Sequence, residues 1–274
     1  MVLKALGTRY GVGEEKAIIE AIRYAEANGA TICNLSFGTT EYYPELEKVM
    51  RDSKMLFVVS AGNGNAKGIG EDTDQKPDYP SSFDLDNVIS AANLMFDGNL
   101  AESSNYGAKS VDIAAPGTYI VSTIADNGYG FMTGTSMSAP MVTGAAAMLY
   151  SYRTDLQLSD IRKVLLETAR KLPTLNGKLS SNGMLDLYAA LNYGRTTETA
   201  DSEQTAADGQ NAQDRQDTEQ TAAGGQNAED RQDAEQTVAD DQDAEQDPET
   251  GQGTASAASK TITAGGGEPV SLGW

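Results

Sequence analysis

Large apolar residues all but vanish between residues 196 and 259, and that break limits what the chain can fold into more than any other feature. Between residues 196 and 259 the sole large aliphatic residue is Val238, with no Leu, Ile, Phe, Tyr, Trp or Met. A stretch so poor in apolar surface cannot offset the entropy lost on ordering its backbone. It carries a tandem repeat of sixteen residues, EQTAADGQNAQDRQDT from 203, EQTAAGGQNAEDRQDA from 219 and a decaying EQTVADDQDAEQD from 235. Stacked repeats need a hydrophobic face, and this repeat has none. The expectation is one folded unit over residues 1–195, a disordered acidic spacer rich in Gln, Ala and Asp over 196–259, and a short tail over 260–274.

Charge follows the same division. The formal net charge is −20, and residues 201–259 hold sixteen acidic residues against Arg215 and Arg231. The folded part is only mildly acidic and shows no basic stripe, which excludes nucleic acid as an expected partner. Cys33 is the only cysteine, so no internal disulfide can form, and its apolar setting in ATICNLSF reads as a buried thiol. The N-terminal MVLKALGTRYG lacks an apolar run long enough for a signal peptide or a membrane span.

Within residues 1–195, apolar runs alternate with helical periods. Val2 to Leu6 reads as a strand, and residues 14–28 as a helix with Ile18, Ile22 and Ala25 on one face. Runs at 31–37, 56–59 and 88–92 read as buried strands, with a helix over 44–53 between the first two. VDIAAPG at 111–117 is marked as a turn region, and Tyr119 to Thr123 as a strand. From Met137, SAPMVTGAAAMLYSY reads as a helix that is apolar nearly all round and hence buried. Residues 158–172 form an amphipathic helix with Ser159 as its capping candidate, and 183–194 a final turn and helix. The alternation predicts an α/β fold of mostly parallel strands in three layers, with helices on both faces of the sheet.

Ligands in such sheets meet the chain beyond the carboxyl ends of the strands. Two segments fall there, Ser36 to Gly38 and Gly62 to Asn63, and further along GTSMSAP at 134–140 places Ser136 at the start of a helix. A serine at a helix start is ordinarily a cap. The same position suits a nucleophile, because free N–H groups and the positive helix end stabilise charge developing beside the hydroxyl. Asn63, before Gly64, is by default a turn residue, and its amide is also a candidate oxyanion donor.

NLSFG at 34–38, SAGN at 60–63, SNYG and AAPG between 104 and 117, and GTSMSAPMVTGAA at 134–146 occur in the order found in subtilases. The region from about residue 2 to 193 resembles the C-terminal portion of a subtilisin-like catalytic domain, with the sheet incomplete at its N-terminus. The resemblance implies a serine endopeptidase acting on polypeptides, with Ser136 as nucleophile and Asn63 in the oxyanion hole. It implies that Ser36, Phe37 and Gly38, with Ser60, Ala61 and Gly62, wall the substrate cleft. It also marks Tyr79–Pro80 as a site where the bond can be cis.

Subtilases place their catalytic Asp and His upstream of the serine, and the chain contains no histidine. The expectation is that both come from an N-terminal segment or another chain, and that this polypeptide alone is inactive or nearly so. The alternative is a pseudoprotease that binds peptides or regulates a partner. Asp112 and Asp126 are internal acids to weigh as a base, with Asp112 favoured as structural. No metal ligands are assigned, calcium enters by family resemblance only, and an extracellular or surface location is likewise implied by resemblance alone.

Overall fold

The computed structural model describes residues 1–7, 12–124, 127–195 and 261–263. The repeats, Asp126 and residues 264–274 lie outside the described residues. Strand β1 (Val12–Glu14) leads into α1 (Glu15–Ala27), followed by β2 (Ile32–Leu35), α2 (Pro44–Asp52), β3 (Leu56–Ser60) and β4 (Val88–Leu94). Then come β5 (Ile113–Pro116), a hairpin of β6 (Ile120–Thr123) and β7 (Tyr129–Met132), α3 (Thr135–Tyr152) and α4 (Leu158–Thr168). Strands β8 (Arg170–Lys171) and β9 (Gly183–Met184), helix α5 (Leu187–Leu191) and β10 (Thr261–Thr263), which pairs antiparallel with β1, complete the described elements.

The main sheet has the order β2-β3-β4-β5-β9-β8 and is parallel from β2 through β9, with β8 antiparallel at its edge. Successive side chains along a strand point to opposite faces, and β3 shows how that builds two cores. Phe57 and Val59 pack with Ile18 and Ile22 of α1 and Leu46 and Met50 of α2. Leu56 and Val58 pack on the other face with Val142 and Leu149 of α3 and Ile161 and Leu165 of α4. Every residue of β3 and β4 is buried. A mostly parallel sheet with helices on both faces is the architecture that the alternation predicts.

Several local expectations are corrected. Residues 2–6 form no strand; Leu3, Ala5 and Leu6 instead lie against the core beside α1, so their apolar run serves packing without a ladder. Conversely 113–116, marked as turn, is strand β5. Helix α4 is capped by Gln157 and Asp160 in a reciprocal box rather than by Ser159. Helix α3 is not buried all round: Pro140, Met141, Gly144, Ala147 and Met148 line an exposed face, while Val142, Ala146 and Leu149 face the sheet.

Candidate active site

Parallel strands deliver their carboxyl ends to one edge of the sheet, and there β2 and β3 release the loops 36–38 and 61–63 beside the N-terminus of α3. Thr135, the first residue of α3, is fully buried and holds these segments together. Its backbone N–H donates to Asn63 Oδ1 at 2.9 Å, and its hydroxyl donates to the same oxygen at 3.1 Å. The hydroxyl also accepts from the Gly62 N–H at 3.2 Å. With Oδ1 occupied, the amide orientation is set and the Asn63 NH2 is left as a free donor. Gly134 takes φ 156° and ψ 168°, backbone space that is essentially reserved for glycine. A Cβ there would lie 3.3 Å from both terminal atoms of the Asn63 amide.

Ser136 follows in the first helical turn, where backbone N–H groups lack intrahelical acceptors. Its hydroxyl donates to the Ser36 carbonyl at 3.3 Å, and the Ser36 hydroxyl donates back to the Ser136 carbonyl at 2.9 Å. Asn34 donates from Nδ2 to the Ser36 hydroxyl at 2.9 Å and accepts at Oδ1 from Thr143 of α3 at 2.9 Å. A carbonyl oxygen can orient the Ser136 hydroxyl but cannot remove its proton. Among the described residues the arrangement therefore offers an oriented hydroxyl, an amide donor and a helix N-terminus, with no side-chain base hydrogen-bonded to the hydroxyl.

The residues expected to wall a cleft divide by what they present. The Phe37 side chain is buried in the cluster around α1 and α2, Ala61 lies in a separate core cluster, and Ser60 is also buried. Their backbones, not their side chains, are what can border a cleft. Ser36 is half-buried, whereas Gly38 and Gly62 are buried as well. Gly62 has φ 99°, and a Cβ on it would come within 2.4 Å of Asn105 Nδ2 and 2.9 Å of Asp78 Oδ2. Buried Asn105 shapes this loop by accepting from the N–H groups of Gly64 (3.0 Å) and Glu71 (2.9 Å) and donating to the Ala61 carbonyl (3.0 Å).

Two buried acids behave differently. Asp112 is bound by Arg162 (2.8 Å), the Ser180 hydroxyl (2.9 Å) and the Ser90 N–H (3.0 Å). Burial pushes its pKa up while Arg162 and these hydrogen bonds pull it down, with a net rise. It joins α4 to the starts of β4 and β5 and does not partner Ser136. Asp78 Oδ1 has no hydrogen-bond partner, and burial alone pushes this carboxyl up to about 7. The neighbouring Tyr79–Pro80 bond is cis. Among the described residues no group of three or more His, Cys, Asp or Glu could hold a metal ion. Nor is any described helix long and apolar enough to cross a membrane.

A groove of about 840 Å³ runs along β2, lined among others by Leu6, Ile18, Ile32, Cys33 and Ala147. Strand β2 pairs with β3 on one side only, so its outer edge carries unpaired backbone groups among the described residues. Ser36, beside Ser136, lies at the end of this groove.

Thr135 and Asn63, missed from sequence as an interacting pair, are separated by 72 residues. The signal was the threonine inside GTS, beside the serine on which attention falls.

A serine in the first turn of α3 and an oriented amide thus meet at the carboxyl edge of a parallel sheet. The model of the subtilase family matches residues 4–185, and the chain belongs to that family. It is 34% identical over 196 residues to the major intracellular serine protease of Bacillus subtilis (strain 168), covering 69% of this chain and 60% of that protein. It is 35% identical over 189 residues to the thermophilic serine proteinase of Bacillus sp. (strain AK1), covering 68% and 43%. Among solved structures it resembles a protease of Pseudoalteromonas arctica PAMC 21717, with TM-score 0.56 and 26% identity over 65% of this chain and 58% of that one. The chain thus spans less than two thirds of these relatives.

Proposed function

We propose that this chain carries the nucleophile and oxyanion half of a subtilisin-type serine endopeptidase acting on polypeptides. The observation that carries the reading is the Thr135 clamp on Asn63, which leaves the amide NH2 free beside Ser136. The contact also satisfies a first-turn N–H of α3, and what it adds beyond capping is a fixed amide whose NH2 is free. In the reaction a base takes the Ser136 proton as its oxygen attacks a peptide carbonyl. The Asn63 amide and the Ser136 N–H hold the oxyanion, the amine leaves with the proton, and water then releases the acyl group.

The base and its orienting acid come from a polypeptide segment other than the described residues, either upstream in the same protein or in another chain. The unpaired edge of β2, ending at Leu35 beside Ser36, supports that arrangement, because a strand laid there would end next to Ser136. The chain by itself is inactive or nearly so, since in subtilisin itself losing the base costs about as much as losing the whole triad.

The test is labelling with a serine-directed fluorophosphonate, on the full chain alone and mixed with a polypeptide carrying the Asp and His region of a subtilase. Labelling that needs the second polypeptide and vanishes in Ser136→Ala supports the reading. Absence of labelling in the mixture overturns it in favour of a pseudoprotease, a reading that the lack of histidine in all 274 residues favours.

A further inference from the structure

The ribbon of β6 and β7 leaves one apolar face bare. In its register Val121 stands opposite Phe131 and Thr123 opposite Tyr129, and directly opposed residues share a face, so these four point the same way. Val121 is 57% exposed, Phe131 71% and Tyr129 77%. The other face is better filled, since Ile124 brings side-chain carbons within 3.2 and 3.3 Å of where a Cβ on Gly130 would stand. Among the described residues neither strand pairs with a third, and a two-stranded ribbon is marginal in water unless something packs on it. A contiguous exposed apolar face marks an interaction surface.

One segment of the chain carries a matching pattern. Beyond residue 195 the large apolar residues are Val238, Ile262, Val270, Leu272 and Trp274. The last three alternate in PVSLGW, which puts them on one face of an extended segment. Neither that hexapeptide nor the described ribbon residues 118–124 and 127–133 hold a charged side chain, so no like charges oppose their contact. The chain also returns to the folded unit just before this segment, because Thr261–Thr263 pair with Val12–Glu14. The residues from 264 to 274 reach about 36 Å when extended, against a width of roughly 40 Å for a folded unit of this length. Most of its surface is therefore within reach of the C-terminus.

We propose that the Val121, Tyr129 and Phe131 face of the ribbon is the docking surface for the chain's own C-terminal segment, Pro269 to Trp274, with Val270, Leu272 and Trp274 packed on it. The indole of Trp274 against Tyr129 and Phe131 makes the largest contact, since aromatic rings bury the most area. The stem of the ribbon is tied to the turn that precedes Ser136: the Gly134 N–H donates to the Gly117 carbonyl at 2.9 Å, and the Tyr119 N–H donates to the Thr133 hydroxyl at 3.0 Å. The docked segment thus steadies the element that carries the chain into that turn.

Trp274 is the only tryptophan, so its fluorescence reads the C-terminus alone in the unmodified full chain. Acrylamide quenching of the chain is compared with that of the free peptide GEPVSLGW. In the chain it is roughly threefold weaker, because a ring covered on one face is shielded from that side, and it does not change on dilution. With Val121→Ser and Phe131→Ser together it rises to the value of the peptide. Equal quenching of chain and peptide overturns the proposal, as does protection that survives the double substitution, which would seat the segment elsewhere. Protection lost on dilution overturns it in favour of the C-terminus of a second copy. A second measurement leaves the ribbon unaltered: deleting residues 268–274 speeds amide hydrogen exchange across β6 and β7 by about tenfold. Unchanged exchange overturns the proposal even if the double variant fails to fold. Neither measurement involves acyl transfer, so both stand apart from fluorophosphonate labelling of Ser136.

Discussion

Thr135 holds Asn63 by two hydrogen bonds to a single oxygen, from its backbone N–H and from its hydroxyl. Orientation of the amide is thus delegated to a residue that is itself fully buried and fixed in a helix. Removing the hydroxyl alone separates positioning from chemistry. In the complemented enzyme, Thr135→Val lowers kcat by roughly fivefold or more, because it removes one neutral hydrogen bond to Asn63 and leaves the Gly62 N–H without its acceptor, with KM little changed. Asn63→Ala lowers it about 100- to 1,000-fold, a figure taken over from the corresponding loss in subtilisin itself. Steady-state kinetics of both variants check the ranking.

Asp78 makes stability depend on pH in a direction opposite to most carboxylates. Its folded pKa, about 7, lies above the ordinary 3.8, so the folded state holds the proton more tightly than the unfolded one. The penalty is absent below about pH 4, grows as pH rises and is complete above about pH 7, where it amounts to about 4 kcal/mol. Asp78→Asn lessens that slope, and Asp112, whose pKa is also raised, keeps the remainder. Urea unfolding at pH 5 and pH 8 reads the difference, and a wild-type stability independent of pH over this span would contradict it.

Arg162 donates to Asp112 and, through Nε, to the Val88 carbonyl at 2.7 Å. Arg162→Ala strands a buried acid, which costs about 3 kcal/mol and lowers Tm by about 10 °C for a domain of this size. Because Asp112 lies away from Ser136, complemented activity at low temperature is unchanged. Calorimetry and a labelling assay distinguish this from a catalytic role.

Cys33 lies on β2 and lines the groove, and burial pushes its thiol up to about 11. At pH 8 the thiolate fraction is about 100-fold below that of an ordinary cysteine, so a disulfide reagent reacts correspondingly slowly. A polypeptide bound along β2 slows it further. Unchanged kinetics in the presence of the complementing polypeptide would place that polypeptide elsewhere.

Much of the fold was legible because burial leaves a local imprint. Continuous apolar residues from Leu56 to Val59 and from Val88 onward declare strands covered on both faces, and Ile18 and Ile22 declare the inner face of α1. Residues 2–6 carry the same imprint without being a strand, since apolar character reports burial and not hydrogen bonding. Strand β5 was hidden by the turn signals in AAPG. At the site, Ser136 and Asn63 stood out by motif, whereas the Thr135 clamp and the close approach of Asp78 to Gly38 and Gly62 depend on segments far apart in the chain. Nothing in the tripeptide Asp78-Tyr79-Pro80 shows that its acid is buried and unpaired.

The open side of β2 has a colloidal consequence. Each copy of the chain offers the same row of amide and carbonyl groups from Ile32 to Leu35, and like edges are ready partners for one another. Against this works the formal charge of −20, most of it beyond residue 200, which keeps copies apart over a distance set by the ionic strength: about 30 Å at 0.01 M salt and about 3 Å at 1 M.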